Sequence, residues 1–152
     1  MRRFTGLLAS VGTMSFVLAT GVAAVDSLYE IKKTEPKVAV GATGTASLTI
    51  TAKGGWHVNA EAPITVALTA PAGVTVQKAK LTRADLAQST QESARFDIPI
   101  SATETDKKTI NAEARFVLYQ AEACKPVKKT LALAVETTPA VAAKDVKKPK
   151  KK

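Results

Sequence analysis

The middle of the chain alternates between apolar and polar side chains with a period of two. Between residues 46 and 52, apolar side chains occupy the even positions and hydroxyl side chains the odd ones. Successive side chains of a β-strand point to opposite faces of the sheet. This segment therefore predicts a strand with one apolar, buried face and one polar, solvent-exposed face. Similar alternation recurs at residues 64–69, 96–100, 110–118 and 131–135. Shorter segments with strand character are residues 28–34, 37–40, 56–60 and 74–81.

Turn-forming residues separate these segments, at 41–44, 53–55, 71–73 and 103–108. Only residues 82–90 have helical character, with room for about one turn. Seven to nine short strands with a turn every ~8–12 residues predict an all-β, immunoglobulin-like antiparallel β-sandwich. Because each sheet has one dry face, two sheets must pack against each other. We expect a single domain.

The apolar faces of these strands predict the core of that domain, which spans residues 28–137. Trp56, the only tryptophan, follows a Gly-Gly turn, and we expect it to be a core anchor rather than a ligand-stacking residue. The residues expected to be mostly buried are Leu48, Ile50, Trp56, Ile64, Val66, Leu68, Phe96, Ile98, Ile100, Ile110, Phe116, Leu118, Leu131 and Leu133.

The first 24 residues have the pattern of an export signal. Arg2 and Arg3 precede an apolar stretch at 6–22, and small residues end it at Ala24. Glycines and hydroxyl residues interrupt this stretch, which falls short of a good ~20-residue membrane span. We therefore expect a Sec-type signal peptide at 1–24, a mature chain that begins at Val25, and a periplasmic location.

Charge is concentrated at the two ends of the chain. The sequence has 22 Lys and Arg against 13 Asp and Glu, a net charge of +9, yet residues 25–139 contribute only +2. This excludes a folded basic clamp for nucleic acid. Residues 138–152 have no periodicity, and we expect a disordered, Lys-rich tail. The lysines that would contact an anionic envelope surface are Lys144, Lys147, Lys148, Lys150, Lys151 and Lys152.

Composition also limits the chemistry of the mature chain. His57 and Cys124 are the only His and Cys, and no Met follows residue 14. A Cys/His zinc cluster and a Met-rich copper site are therefore nearly excluded. The carboxylates show no paired spacing that would indicate a hydrolase. We expect no cofactor and no bound metal.

Two segments resemble the signature regions of a known family. Residues 55–63 read Gly-Trp-His-Val-Asn-Ala-Glu-Ala-Pro, and residues 115–127 contain Cys124-Lys125-Pro126. Together they resemble the periplasmic N-terminal domain of the thiol:disulfide interchange protein DsbD, over roughly residues 36–136. The resemblance implies an immunoglobulin-like sandwich that passes electrons through two cysteines in a strand-end hairpin.

The sequence departs from this family at the redox pair. The family's first Cys falls at Tyr119, so only the second, Cys124, is present. A lone thiol cannot resolve its own mixed disulfide. Lys125, Lys128 and Lys129 favour the thiolate of Cys124, whereas Glu122 opposes it. Because Pro126 disrupts regular pairing, we expect Cys124 to lie in a partly exposed loop.

Three functions remain open. The first, which we favour, is a non-catalytic interaction module that binds a periplasmic or envelope protein. The second is a thiol–disulfide exchange protein that uses Cys124 with an external resolving thiol. The third is a metal-handling protein with His57 and Cys124 as ligands. Whether His57 lies near Cys124 cannot be read from the sequence.

Overall fold

The computed structural model describes residues 25–59 and 61–140, so the predicted signal peptide and the lysines of the tail lie outside the described residues. Two β-sheets pack face to face as one immunoglobulin-like β-sandwich, as predicted. A 3₁₀ turn covers Val25–Leu28. The strands are β1 (Tyr29–Thr34), β2 (Lys37–Ala39), β3 (Thr43–Ala52), β4 (His57–Val58), β5 (Thr65–Thr69), β6 (Val74–Val76), β7 (Lys80–Thr82), β8 (Leu86–Ser89), β9 (Ser93–Ala102), β10 (Lys107–Gln120) and β11 (Ala123–Thr138).

One sheet has the strand order β1-β3-β9-β6, with β8 also paired to β9. The other has the order β2-β11-β10-β5-β7, with β4 also paired to β10. The prediction of antiparallel pairing holds for every described pair except one. Strand β2 runs parallel to the end of β11, where Glu136 opposes Lys37.

The core lies between the two sheets, on the apolar faces that the alternation predicted. Twelve of the fourteen residues expected in the core are buried, and Phe96, Leu48 and Ile110 are fully inaccessible. The prediction was wrong for Trp56 and Leu131, which are half-buried and pack against the edge of the core. Leu131 lies where β11 has no partner strand on its outer side, and Trp56 directly precedes the two-residue strand β4, so both lie at an edge of the core.

Local backbone chemistry changes several predicted boundaries. The helical character of residues 82–90 yields only a 3₁₀ turn at Arg83–Asp85, which β8 follows directly. The Asp85 carboxylate accepts a 3.0 Å hydrogen bond from the Thr82 backbone N–H, which caps that single turn. The predicted strand at 74–81 splits into β6 and β7, which belong to different sheets. Among the described residues there are therefore eleven strands, more than the seven to nine expected.

The sandwich extends one residue into the predicted tail, because β11 ends at Thr138. Thr137 is the buried polar residue of this strand end. Its hydroxyl donates to the Asp106 carbonyl and accepts from the Asp106 N–H, so its polar atoms are satisfied. This contact joins the β9–β10 turn to the last strand.

At the other terminus of the described chain, Asp26 joins the first turn to both sheets. The Tyr29 hydroxyl donates a 2.6 Å hydrogen bond to the Asp26 carboxylate, which also accepts from Lys129 of β11 at 3.0 Å. The Tyr29 ring packs edge-on against Phe116, with ring centroids 5.2 Å apart. Burial and the Asp26 carboxylate raise the pKa of Tyr29 to about 12. Conversely, the hydrogen bonds from Tyr29 and Lys129 lower the pKa of Asp26.

The Tyr29 contact predicts a change in stability at alkaline pH. Its folded-state pKa lies above the ordinary value of 10.0, so its contribution to stability is complete below pH 10.0 and is lost as pH rises toward 12. We expect Tyr29→Phe to lower the free energy of unfolding by about 1 kcal/mol near neutral pH. The difference between wild type and variant should shrink above pH 10.0. Urea denaturation at about pH 8 and about pH 11.5 measures this, and a difference that does not change with pH contradicts the assignment.

Candidate functional site

Cys124 lies in a strand and not in the loop that the sequence predicted. It is the second residue of β11, it is exposed, and it directly opposes Tyr119 of β10. The two-residue turn Ala121-Glu122 joins the strands, with Ala121 at φ 44°. The predicted exposure of the thiol is confirmed, whereas the predicted break in pairing at Pro126 is wrong.

Pro126 fits in the strand because its nitrogen faces away from β10. The Asn59 N–H donates to the Val117 carbonyl at 2.9 Å. The backbone polar groups of Val117 therefore point toward β4 and away from β11. Pro126 opposes Val117 and therefore occupies a pair without hydrogen bonds to β10. On its other side β11 is an edge at this point, since β2 pairs only with Glu136–Thr138. Pro126 thus removes no ladder hydrogen bond.

His57, Tyr119 and Cys124 form a row across three strands on the outer face of the sheet. His57 opposes Tyr119, with ring centroids 5.2 Å apart, and Tyr119 opposes Cys124. Leu118, the preceding residue, is buried, so Tyr119 points to the other side of the sheet. Two strand spacings, ~10 Å, separate the backbones of His57 and Cys124.

This row does not form a metal site as it stands. The Tyr119 side chain lies between His57 and Cys124, and the His57 Nδ1 atom is buried without a hydrogen-bond partner. Within residues 25–59 and 61–140, no three His, Cys, Asp or Glu side chains are grouped as metal ligands would be. The metal-handling hypothesis therefore lacks a third ligand in this part of the chain.

The lysines that follow Cys124 in sequence are engaged by other groups. Lys125 opposes the buried Leu118, and its Nζ atom lies 5.3 Å from the centre of the Trp56 ring. Lys128 forms an ion pair with Glu113 at 3.0 Å. Lys129 is bonded to Asp26, as described above. Each of these three lysines therefore has a partner other than the Cys124 sulfur.

Trp56 and Tyr119 are the accessible aromatic residues of the hairpin end. Of the five Phe, Trp and Tyr side chains in the described residues, these two are half-buried and the other three are buried. Gly54 and Gly55, both with positive φ, form the turn that brings Trp56 to the start of β4. We define the hairpin-end surface as Trp56, His57, Tyr119, Cys124 and Lys125. No local pattern indicated that these two aromatic residues would lie at the same end of the sandwich, because 62 residues separate them.

A cleft of about 630 Å³ lies on the opposite side of Tyr119 from Cys124. Asn59 and Glu61 form one wall, and the β8–β9 turn at residues 89–91 forms the other. The Val58 N–H donates to the Gln91 carbonyl at 2.9 Å, which ties the two walls together. Because the cleft combines three distant segments, no local sequence pattern could have predicted it.

The free edge of β11 is interrupted at three positions. The Lys33 ammonium donates to the Ala132 carbonyl at 2.6 Å. Glu35 accepts a hydrogen bond from the Ala134 backbone, and its pKa is lowered mainly by hydrogen bonding to Lys33. The third interruption is Pro126, which has no N–H to offer a foreign strand. Such protection opposes the addition of a foreign strand.

Comparison with known proteins gives no family for this chain, since no family model and no curated protein matches it. Solved structures match it at low identity, and two of them illustrate this. One is WR4, a C. elegans MSP family member, with 10% identity and a TM-score of 0.39, over 71% of this chain and 97% of that one. The other is AggA, the major subunit of aggregative adherence fimbriae type I from Escherichia coli. It has 11% identity and a TM-score of 0.39, over 72% of this chain and 95% of that one.

Neither similarity carries an argument about the function of this chain. In residues 25–59 and 61–140, no helix has the length and apolar character needed to cross a membrane. The site must therefore be interpreted from its own geometry.

The opposition of Tyr119 and Cys124 predicts that Tyr119→Cys forms an internal disulfide. A directly opposed pair without hydrogen bonds has Cα atoms ~4.5 Å apart, which lies within the range that a disulfide spans. Oxidised Tyr119→Cys should contain no free thiol and weigh about 2 Da less than its reduced form, by intact-mass spectrometry. Val117→Cys is the matched control, because position 117 is diagonal to Cys124 and should stay unpaired within the molecule. Two free thiols in Tyr119→Cys under oxidising conditions would disprove the geometry.

Proposed function

We propose that this chain is an exported β-sandwich module that binds a protein of the periplasm or cell envelope through its hairpin-end surface. The observation that carries the proposal is the position of the two accessible aromatic side chains. Trp56 and Tyr119 lie at the same end of the sandwich, Tyr119 beside His57 on the outer face of the sheet and Trp56 beside Lys125 at the edge of the core. Tyr and Trp dominate the energetic centres of protein interfaces, because they bury large areas at low entropic cost.

The rest of the surface suits such a contact. Val117 and Pro126 continue the outer face next to Tyr119 and Cys124, and they add apolar area. Lys125 lies over the Trp56 ring and supplies a polar rim. Because the edge of β11 is protected, we infer that the partner contacts side chains rather than adding a strand.

The resemblance to the DsbD N-terminal domain supports the compartment and the location of the surface. In that family the two cysteines lie in a strand-end hairpin, and here Tyr119 stands opposite Cys124 at the end of a hairpin. The position of the absent thiol is thus filled by an aromatic ring. A dithiol carrier needs both thiols, since the second one releases the mixed disulfide. This favours binding over electron transfer.

Thiol–disulfide exchange through Cys124 alone is the second candidate, and the exposure of the thiol favours it. The Cys124 thiolate would attack a disulfide of the partner and displace one of its sulfurs as a thiolate. An external small thiol would then attack the partner's sulfur in the mixed disulfide and release Cys124 as a thiolate, and a second small thiol would release the partner's thiol as the small-molecule disulfide forms. Each round would consume two external thiols and convert one partner disulfide to two thiols.

The Lys-rich tail would follow the end of the sandwich that lies opposite the hairpin-end surface. Strand β11 has 16 residues, which corresponds to about 50 Å. Cys124 lies near its start and the tail follows its last residue, Thr138. If the tail lysines contact an anionic envelope surface, the hairpin-end surface can face away from it and stay accessible to a partner.

Crosslinking in cells tests the binding proposal. A photoreactive phenylalanine derivative in place of Tyr119 should give a discrete adduct, whereas the same group at the exposed Thr75 should not. Thr75 pairs with Ser101 at the far end of the sandwich, so it is a control for exposure alone. Adding Trp56→Ala should lower the adduct yield at least about 5-fold, because an aromatic anchor is lost. Equal adducts from both positions, or an adduct unaffected by Trp56→Ala, would contradict the proposal.

A turnover assay separates binding from exchange chemistry. Wild type, Cys124→Ala and Tyr119→Cys are compared on one protein disulfide with excess reduced glutathione. We expect wild type and Cys124→Ala to match the rate of glutathione alone, while Tyr119→Cys exceeds it because it restores a resolving pair. Multiple turnovers by wild type that vanish in Cys124→Ala would establish the second candidate instead.

A further inference from the structure

The cleft beside Tyr119 is a second candidate site, which adjoins the hairpin-end surface and shares Tyr119 with it. We propose that it binds a neutral saccharide. Its volume of about 630 Å³ is within the range of small-molecule sites, about 300–1,000 Å³. This proposal does not depend on the proposed protein partner, because the other lining residues, at 58, 59, 61 and 89–91, lie outside the hairpin-end surface.

Hydrogen bonds hold the walls of the cleft in place without a ligand. The Asn59 side-chain oxygen accepts from the N–H groups of Glu61 and Ala62 at 3.0 and 3.1 Å. The opposite wall is tied to β4 through Val58 and Gln91. Within that wall, the Thr90 hydroxyl accepts from the Ser93 N–H at 2.9 Å. A preformed site loses little conformational entropy on binding.

The polar groups that line the cleft have free hydrogen-bonding capacity. In the described part of the chain, the side chains of Ser89, Gln91 and Glu61 form no hydrogen bond or ion pair. The amide of Gln91 and the hydroxyl of Ser89 both donate and accept, while the Glu61 carboxylate accepts. Tyr119 also lines the cleft, and its ring lies 5.2 Å from that of His57.

The lining excludes other classes of ligand. Among the described residues that line the cleft there is no Lys or Arg, so a phosphate or carboxylate ligand would find no counter-charge. Glu61 is the single carboxylate among them, too few to hold a divalent cation. The exposed lining is slightly more apolar than polar, which suits a ligand that presents both hydroxyl groups and an apolar ring face. A ligand with many uncharged hydroxyl groups and an apolar ring face fits what remains.

Titration of the full-length mature chain by ¹⁵N-resolved NMR tests this proposal. The probes are maltotriose, cellotriose and triacetylchitotriose, each to about 20 mM, with the peptide Gly-Ala-Gly-Ala and inorganic phosphate as comparison ligands. We expect at least one trisaccharide to shift the amide signals of Asn59, Glu61 and Gln91 in a saturable manner. Gln91→Ala should weaken that binding about 5-fold, the effect of one lost hydrogen bond.

Gln77→Ala is the matched control, because Gln77 is also exposed and lies in a different cleft beside β9. Its affinity for the trisaccharide should equal that of wild type. Three outcomes overturn the proposal: no saturable shift with any of the three sugars, equal weakening by both Gln variants, or tighter binding of the peptide or phosphate at the same residues. The photocrosslink at the hairpin-end surface is unaffected by any of these outcomes, so the two proposals fail separately.

Discussion

The pairing of β10 with β11 is the constraint on which the rest of the structure depends. It runs without a break from Lys107 opposite Glu136 to Gln120 opposite Ala123. Strand β10 also receives β5 and β4 on its other side, so it organises one whole sheet. A shift of this pairing by one residue would turn every side chain of one strand to the opposite face. The buried series that includes Phe116, Leu118 and Leu133 makes such a shift very costly.

The same pairing fixes the chemistry at the hairpin end. It sets Tyr119 against Cys124 and Lys125 against Leu118, so the thiol faces outward and the lysine turns toward Trp56. It also gives Pro126 a position whose nitrogen needs no partner. A single register therefore explains why the thiol is exposed, why the proline is tolerated and why the neighbouring lysines do not converge on the sulfur.

Periodicity predicted the long strands because their two faces meet very different environments. The alternation around Leu48, Phe96 and Ile110 is strong since one face is dry and the other wet. It failed at the start of β11, where Lys125 and Pro126 occupy positions that a simple pattern assigns to a loop. It also failed for β8, which was expected to have helical character, is too short for a period to show, and is held by pairing with β9.

Only the part of the candidate site that lies on two strands adjacent in sequence was predictable. Tyr119 and Cys124 are five residues apart, so a hairpin between them was expected to place them opposite each other. The position of His57 depends on β4 joining β10, and the cleft depends on the contact between Val58 and Gln91. These are long-range contacts, so no local pattern encodes them. This is why the sequence alone left the distance between His57 and Cys124 open.

Tyr119 gains its importance from its place at the boundary between the two proposed sites. One side of its strand carries Cys124, and the other carries His57 and the cleft. Tyr119 opposes Cys124 at the end of the hairpin, so this position carries an aromatic ring where a second cysteine would allow a disulfide. Both of the proposed sites therefore include Tyr119, and each depends on the register that sets β10 against β4 and β11.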